Sequence, residues 1–309
     1  MYQNRKVVVA GATGSIGNKL CKLLKESGYE VTVFSRNPEN ARLKVPYASR
    51  YVEFNYEKPG EWVKELDGSL GVINLSGAPV FKRWTKKYVR EIIDSRVQST
   101  KALVDCIRSA KNRPRFLVNA SASGYYGYEI SDDNLVTEAT PPGNDFWGKL
   151  VMDWEAEAKK AEEMKVRVVM IRTSVILSRG EGALGKLEPV FRRNLGGYVK
   201  PGTQWFPWIH VVDEISLIKF AMENDFVKGP VNASSPNIPD MKQFASELGR
   251  TMKKRGNMAI PPFLIRILIG KGSSVISRGR KVYPKAALDN GFRFRFPDLG
   301  MALDDLINR

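Results

Sequence analysis

Histidine, cysteine and long apolar runs are all scarce in this chain of 309 residues, and each scarcity excludes a class of function. Histidine occurs once, at His210, and cysteine twice, at Cys21 and Cys106. No spacing among these three matches a ligand set for zinc or an iron–sulfur cluster, so no metal site is expected. Two isolated cysteines argue against a disulfide scaffold and fit a reducing, cytoplasmic setting. A membrane helix needs roughly 20 apolar residues. The longest candidate, residues 260–269, is short and contains Pro261, Pro262 and Arg266. No charged-then-apolar leader precedes Val7, whose apolar run is already a strand. Neither a membrane partner nor a secretory route is expected.

Hydrophobic residues make up 43% of the chain, enough to bury a sizeable core. The net charge is +16, and it is unevenly spread. Between Lys253 and Arg295 stand eleven Lys or Arg (253, 254, 255, 266, 271, 278, 280, 281, 285, 293, 295) against one acid, Asp289. No nucleic-acid motif accompanies them, so the stretch reads as a solvated basic surface, with an anionic small molecule as second choice.

The organising stretch is Val7 to Gly17, VVVAGATGSIG. A buried-strand run is followed by Gly11, Gly14 and Gly17, and a helical pattern opens at Ile16 with Leu20, Leu23 and Leu24. Strand, glycine turn and helix form the context in which such glycines bind a dinucleotide. Gly11 permits the tight turn, Gly14 lets backbone N–H groups approach a pyrophosphate, and Gly17 lets helix and strand pack closely. Thr13, Ser15 and Ile16 lie between them, at a helix start that favours an anion.

Strands then alternate with helices: residues 30–35, 50–55, 71–75, 116–120 and 166–172 as strands, and 59–66, 85–110 and 146–164 as helices. This predicts a Rossmann-type doubly wound parallel sheet. The nucleotide-binding domain is expected over 1–175, its sheet completed by parts of 205–235. A mixed substrate-side lobe is expected over 176–309, with strands at 208–212 and 229–233 and helices at 214–223, 241–252 and from Leu299. Ligands of such sheets bind outside the carboxyl ends of the strands.

An NAD site carries an acid at the end of the second strand, on the ribose 2′-OH. Here that place reads Ser35, Arg36, Asn37, Pro38. Arg36 suits a 2′-phosphate in bidentate geometry and Ser35 can donate to it, so NADP is preferred. Asn55 is placed for the adenine edge, and Leu75, Ser76 and Gly77 for the nicotinamide ribose.

Longer stretches are more specific than the glycines: NLSGAPV at 74–80, RWT at 83–85, SRVQST at 95–100, SASGYYG at 121–127, TEATPPGNDF at 137–146, RTSVILSRGEGAL at 172–184, QWFPWIHVVD at 204–213 and PKAALDNGFRFRFP at 284–297. Together they resemble the atypical extended short-chain dehydrogenase/reductases of the epimerase-like, YfcH-like family. That family carries a C-terminal domain of unknown function, which Pro236 to Leu306 resembles. The resemblance implies an NADP-binding Rossmann domain shaped like a nucleotide-sugar epimerase, a monomer or a dimer packed through two long helices, and a small-molecule substrate, either a nucleotide sugar or another carbonyl compound.

Short-chain dehydrogenases move a proton with a Tyr whose pKa is lowered by a Lys four residues on, and polarise the carbonyl with Ser or Thr. Among the tyrosines only Tyr2 has such a lysine, Lys6, and both precede the first strand, at the wrong end of the sheet. Where the resemblance places the pair stand Phe146 and Leu150. Lys149 is one residue short, about a hundred degrees round the helix. The candidates left are Ser121 as polarising hydroxyl and Tyr125 or Tyr126 as replacement acid. A packing role for the tyrosine pair stands level with the catalytic one. His210 reads as a packed histidine orienting a loop, Trp205, Phe206 and Trp208 as pocket wall or lobe brace, and Gln204 as a directed hydrogen-bond donor. Two functions remain: an NADP(H)-binding epimerase-like oxidoreductase, or a non-catalytic NADP(H)-binding sensor or scaffold.

Overall fold

The computed structural model describes residues 5–58, 60–80, 82, 84–128, 133–263 and 278–308. Tyr2, Pro59, Arg83, Arg266, Lys271 and most of the 260–269 apolar run lie outside them.

The elements run β1 (Lys6–Ala10), α1 (Ser15–Glu26), β2 (Glu30–Ser35), α2 (Pro38–Lys44), β3 (Arg50–Glu53), α3 (Trp62–Leu66), β4 (Gly71–Asn74), α4 (Lys86–Ser109), β5 (Phe116–Ala122), β6 (Leu135–Val136), α5 (Phe146–Lys159), β7 (Arg167–Thr173), β8 (Val175–Ser178), α6 (Gly182–Arg192), β9 (Gly197–Val199), β10 (Trp208–His210), α7 (Val211–Glu223), β11 (Gly229–Ala233), α8 (Met241–Met252), β12 (Met258–Ile260), β13 (Lys281–Val282), α9 (Lys285–Asp289) and α10 (Leu299–Asn308). Seven strands form one parallel sheet in the order β11-β7-β5-β4-β1-β2-β3. The strand order reverses between β1 and β4, which opens a crevice at their carboxyl ends.

The period-2 pattern of the strands decides which layer each side chain enters. Val7 and Val9 pack with Leu20 and Leu24 of α1 and Leu217 and Ile218 of α7. Val8 and Ala10 pack on the opposite face with Leu103 and Ile107 of α4 and Ala158 of α5. A third core joins α6, α8 and α10 through Leu184, Phe191, Phe244, Leu248 and Leu303. Asp213, in the first turn of α7, ties this lobe to the sheet: its carboxylate accepts from the backbone N–H groups of Arg295 at 2.7 Å and Phe296 at 2.9 Å.

The long periodic elements sit where their pattern predicts, within a residue or two. Three corrections follow from short or capped segments. Residues 38–44 form α2, which has only Ala41 buried and therefore no apolar stripe to betray it; Asn37 caps it by accepting from the Asn40 N–H at 2.9 Å. The expected strand 208–212 stops at His210, because the His210 ring accepts from the Val212 N–H at 3.1 Å and starts α7 there rather than at Glu214. The helix expected over 146–164 changes to a 3-10 turn at Lys160–Met164. Strands β6, β8, β9, β12 and β13 have two to four residues each, too short to show a period. Among the described residues no helix is long and apolar enough to cross a membrane, and no cluster of His, Cys, Asp and Glu could hold a metal.

Candidate functional site

The glycine turn is shaped by contacts within the sheet. Gly11 has φ +79°, and a Cβ there would fall 2.5 Å from the Leu75 carbonyl carbon. A Cβ at Gly17 would fall 2.5 Å from the Gly11 oxygen. Gly14 differs: its φ is negative and a Cβ would meet only the Gly11 oxygen, at 3.4 Å. The chain's own packing barely restricts a side chain there. Gly14 also N-caps α1 without a side-chain hydrogen bond, and the first turn holds no acid. Unpaired N–H groups at an uncapped helix start suit an anion. A carboxylate reaches this place from the lobe: Glu181 accepts from Ser15 and pairs with Lys19 at 2.6 Å.

At the end of β2, Ser35 accepts from the Asn37 N–H at 3.2 Å, which shapes the turn. Arg36 is exposed and has no hydrogen-bond or ion-pair partner among the described residues. Asn55, just beyond β3, accepts from the Glu57 N–H at 2.9 Å. Leu75 donates to Ala10 at 2.9 Å, and the Ser76 N–H donates to the Asn74 side chain at 3.1 Å.

From this cradle a cavity of about 380 Å³ runs along the carboxyl ends of β4, β5 and β7. Ile16, Leu75, Ser76 and Gly77 line its cradle side; Ser121, Ser123, Tyr128, Trp147, Leu150 and Trp154 line the far wall. Thr173, Ser174, Ile176, Gly182 and Glu214 close it from β7, β8, α6 and α7. Beside the cradle Thr13 is half-buried and Ser15 exposed.

Of the three expected catalytic residues, the structure brings only Ser121 to the cavity. Its hydroxyl donates to Glu155 at 2.5 Å. Glu155 is in turn held by Arg172 through two bonds of 2.8 Å, an ion pair buried at both ends. Tyr126 is fully buried away from the cavity, donating to Asn232 at 2.7 Å and accepting from Arg172 at 2.9 Å. Burial pushes its hydroxyl up to about 12. Tyr125 packs against the Arg172 guanidinium, 3.5 Å from its ring centroid, and does not line the cavity. These two tyrosines brace the 121–127 turn. The tyrosine that does line the cavity is Tyr128, its hydroxyl also raised to about 12 by burial against an opposing hydrogen bond with Ser123.

The position expected for Tyr and Lys holds no replacement pair. Phe146 stacks edge-on with Trp84 and Trp147, Leu150 lines the cavity, and Lys149 is exposed. The pocket wall is also reassigned. Trp205, Phe206 and Trp208 stay off the cavity: Trp205 donates to Asp133, Phe206 stacks on Phe244, and Trp208 donates to the Asn237 carbonyl. They brace the lobe, and Trp147 and Trp154 wall the cavity instead. Gln204 spends its amide on Val199 and Gly202 within one loop. His210 is buried as the N-cap of α7, its pKa pushed down to about 4 by burial against the opposing charge of Asp305. The basic stretch is partly internal: Arg280 is buried with a bond to the Tyr126 carbonyl, and Lys281 lies over Trp205.

Glu214 was not among the expected site residues, yet the sequence carried a signal for it. Glu214, Leu217, Ile218 and Ala221 follow the i, i+3, i+4, i+7 spacing, which puts an acid inside the apolar stripe of α7. Glu155 and Arg172 left no such trace, because their pairing joins α5 to β7.

Residues 7–233 match the NAD dependent epimerase/dehydratase family, and residues 260–306 match a domain of unknown function, DUF1731. That second match starts at 260 rather than at the expected 236, so α8 lies outside it. A chloroplastic epimerase family protein, an SDR39U1 homolog of Arabidopsis thaliana, is 35% identical over 94% of this chain and 83% of its own length. An epimerase family protein of Staphylococcus aureus (strain MRSA252) is 34% identical over 99% of this chain and all of its own. The crystal structure of human epimerase family protein SDR39U1 with NADPH superimposes with a TM-score of 0.87 at 30% identity, covering 98% of this chain and 99% of that one. A nucleoside-diphosphate sugar epimerase from Corynebacterium glutamicum gives 0.79 at 25% identity, over 99% of this chain and 58% of that one. With the parallel sheet, the glycine cradle and the cavity beside it, these matches show that the chain belongs to the NAD dependent epimerase/dehydratase family, within its atypical, SDR39U1-like branch.

Proposed function

We propose that the protein binds NADP(H) along the Gly11–Gly17 cradle and acts in the adjoining cavity as an oxidoreductase or epimerase on a nucleotide sugar or small carbonyl compound. The observation that carries this reading is continuity: one cavity joins the dinucleotide cradle to a recess lined by hydroxyl, aromatic and carboxyl groups. The open N-terminus of α1 would hold the pyrophosphate, Arg36 and Ser35 the 2′-phosphate, Asn55 the adenine edge, and Leu75, Ser76 and Gly77 the nicotinamide ribose. The NADPH bound to human SDR39U1 and the free Arg36 both favour the phosphorylated cofactor. That cofactor supplies a hydride donor or acceptor. The protein's part is to position the carbonyl beside it, exclude water with Trp147, Leu150 and Trp154, and manage the proton. Trp147 and Trp154 give a sugar or base ring flat surfaces to stack on. The nucleoside-diphosphate sugar epimerase of Corynebacterium glutamicum supports the nucleotide-sugar class.

Calorimetric titration with NADPH, NADP+, NADH and NAD+ checks the cofactor. Binding of the phosphorylated pair at least tenfold tighter is expected, and equal affinities would sink the assignment. A panel of sugar nucleotides and carbonyl compounds, followed by NADPH absorbance, checks the chemistry.

A second reading rests on Phe146 and Leu150. With no Tyr–Lys pair at that position, a sensor or scaffold that binds NADP(H) without turnover is the alternative. It is favoured if NADPH and NADP+ differ in affinity and no compound of the panel is reduced or oxidised.

A further inference from the structure

With Phe146 outside acid–base chemistry, Tyr126 buried elsewhere and the Tyr128 hydroxyl raised to about 12, Glu214 is placed to be the cavity's proton source. Its side chain is 1% exposed and lines the cavity. One oxygen accepts from the Thr173 hydroxyl at 2.8 Å. The other, Oε2, has no hydrogen-bond partner among the described residues. Ser174 lines the same cavity, and its buried hydroxyl also lacks a partner among the described residues. Buried polar atoms are ordinarily satisfied, and an exception calls for a ligand or a role. The neighbouring buried acids obey the rule: both oxygens of Asp213 accept from backbone, and both oxygens of Glu155 are held by Arg172.

We propose that Glu214, oriented by Thr173, is the proton donor and acceptor of this cavity. The inference rests on the oxidoreductase reading. In the reducing direction the carbonyl carbon takes the hydride of bound NADPH as the C=O π pair moves to oxygen. That oxygen takes the Glu214 proton, leaving a carbinol, NADP+ and a Glu214 carboxylate, which solvent reprotonates. The oxidising direction runs the same transfers backwards. Ser174 donates to the same oxygen, and Thr173 is a positioning residue.

Burial raises the Glu214 carboxyl to about 7, with the Thr173 hydroxyl acting the other way, so it can both give and take a proton near neutrality. The ionisable groups of the elements packed on α7 are engaged elsewhere. Arg172 of β7 turns to Glu155, Arg167 of β7 bonds carbonyls at the far end of α7, Lys19 of α1 pairs with Glu181, and the Cys21 thiol of α1 is pushed up to about 12 by burial. On α7's own first turn, His210 faces Asp305 and Asp213 faces the 295–296 backbone.

The test combines a titration with turnover. In protein labelled with 13C-glutamate, one carboxyl resonance is expected to titrate near neutral pH and to be missing in Glu214→Gln. Thr173→Val, which removes an opposing hydrogen bond, is expected to move its midpoint upward. A Glu214 midpoint below about 5, the ordinary carboxyl range, overturns the assignment whatever turnover shows. With 9,10-phenanthrenequinone and a UDP-4-keto sugar as probes, wild-type NADPH oxidation is expected to fall above the same midpoint. Glu214→Gln is expected to lower it about 100-fold or more while NADPH affinity stays within about 3-fold, and Glu214→Asp to recover part of the loss. Undiminished turnover in Glu214→Gln overturns the proton role. NADPH binding by a wild-type protein that reduces neither probe counts against the oxidoreductase reading itself, and the titration then decides Glu214 alone.

Discussion

Arg36 is an exposed guanidinium at the end of β2 with no hydrogen-bond or ion-pair partner among the described residues, so its removal costs the fold little, and on the proposed reading costs a bound 2′-phosphate much. Arg36→Ala is expected to weaken NADPH binding roughly 10- to 100-fold, the loss of one charge-assisted pair, and to leave NADH binding unchanged. Fluorescence titration with both cofactors checks it; an equal loss for both means that Arg36 does not read the phosphate. Glu181 acts in the opposite sense. Its carboxylate bonds Ser15 and pairs with Lys19 at the start of α1, where a pyrophosphate would sit. Removing a like charge near the surface is worth about 1 kcal/mol. Glu181→Gln is therefore expected to tighten NADPH binding about 5-fold, more at low salt than at high.

Among the elements, α5 and β7 meet through the buried Arg172–Glu155 pair, with Ser121 of β5 donating to the same carboxylate. Taking one partner away strands the other charge, so Arg172→Met is expected to lower unfolding free energy by about 3–5 kcal/mol. The double variant with Glu155→Leu is expected to recover much of that, and urea denaturation of the two variants measures the difference. The start of α7 carries an opposed pair of titrations. His210 is lowered in the fold, so its contribution is present above the unfolded value near 6.5 and is lost as pH falls toward about 4. Glu214 is raised, so its contribution is present below about 4.5 and is lost as pH rises through about 7, with Asp213 shifted in the same direction. The two slopes offset each other between pH 4.5 and 6.5 in the native chain. Melting temperature is expected to climb with pH across that window in Glu214→Gln and to fall across it in His210→Gln. Parallel profiles for the two variants would contradict this.

At the scale of the molecule, the cavity is closed by sheet and lobe together: Ser121 and Thr173 come from β5 and β7, Ile176 from β8, Gly182 from α6 and Glu214 from α7. A ligand filling it stabilises both parts at once. NADPH at about 100 times its dissociation constant is worth about 2.7 kcal/mol. For a chain of 309 residues that is a rise of roughly 4 °C in the melting midpoint, and differential scanning calorimetry reads it directly. Asp213→Ala removes two acceptors that hold residues 295–296, so amide exchange in α10 is expected to quicken while β1 and β4 keep their protection. Uniform quickening would mean that the lobe and the sheet open as one unit.

The chain's own order of residues determined the strands, the long helices and the glycine cradle, because each rests on a local period or a local turn. Val7 to Ala10 alternate faces, Leu20 and Leu24 repeat at helical spacing, and Gly11 must take a positive φ. The position of Arg36, directly after a strand, was legible for the same reason. Only the tertiary structure decided which side chains stand beside the cradle. Tyr126 and Ser121 look alike as reactive groups along the chain, but sheet register sets Arg172 beside Ser121, where its partner Glu155 takes the Ser121 hydroxyl bond while Arg172 itself bonds the Tyr126 hydroxyl away from the cavity. Glu214 reaches the cavity because Val211 to Glu223 coil back over β7, about forty residues after Thr173, the residue that holds it.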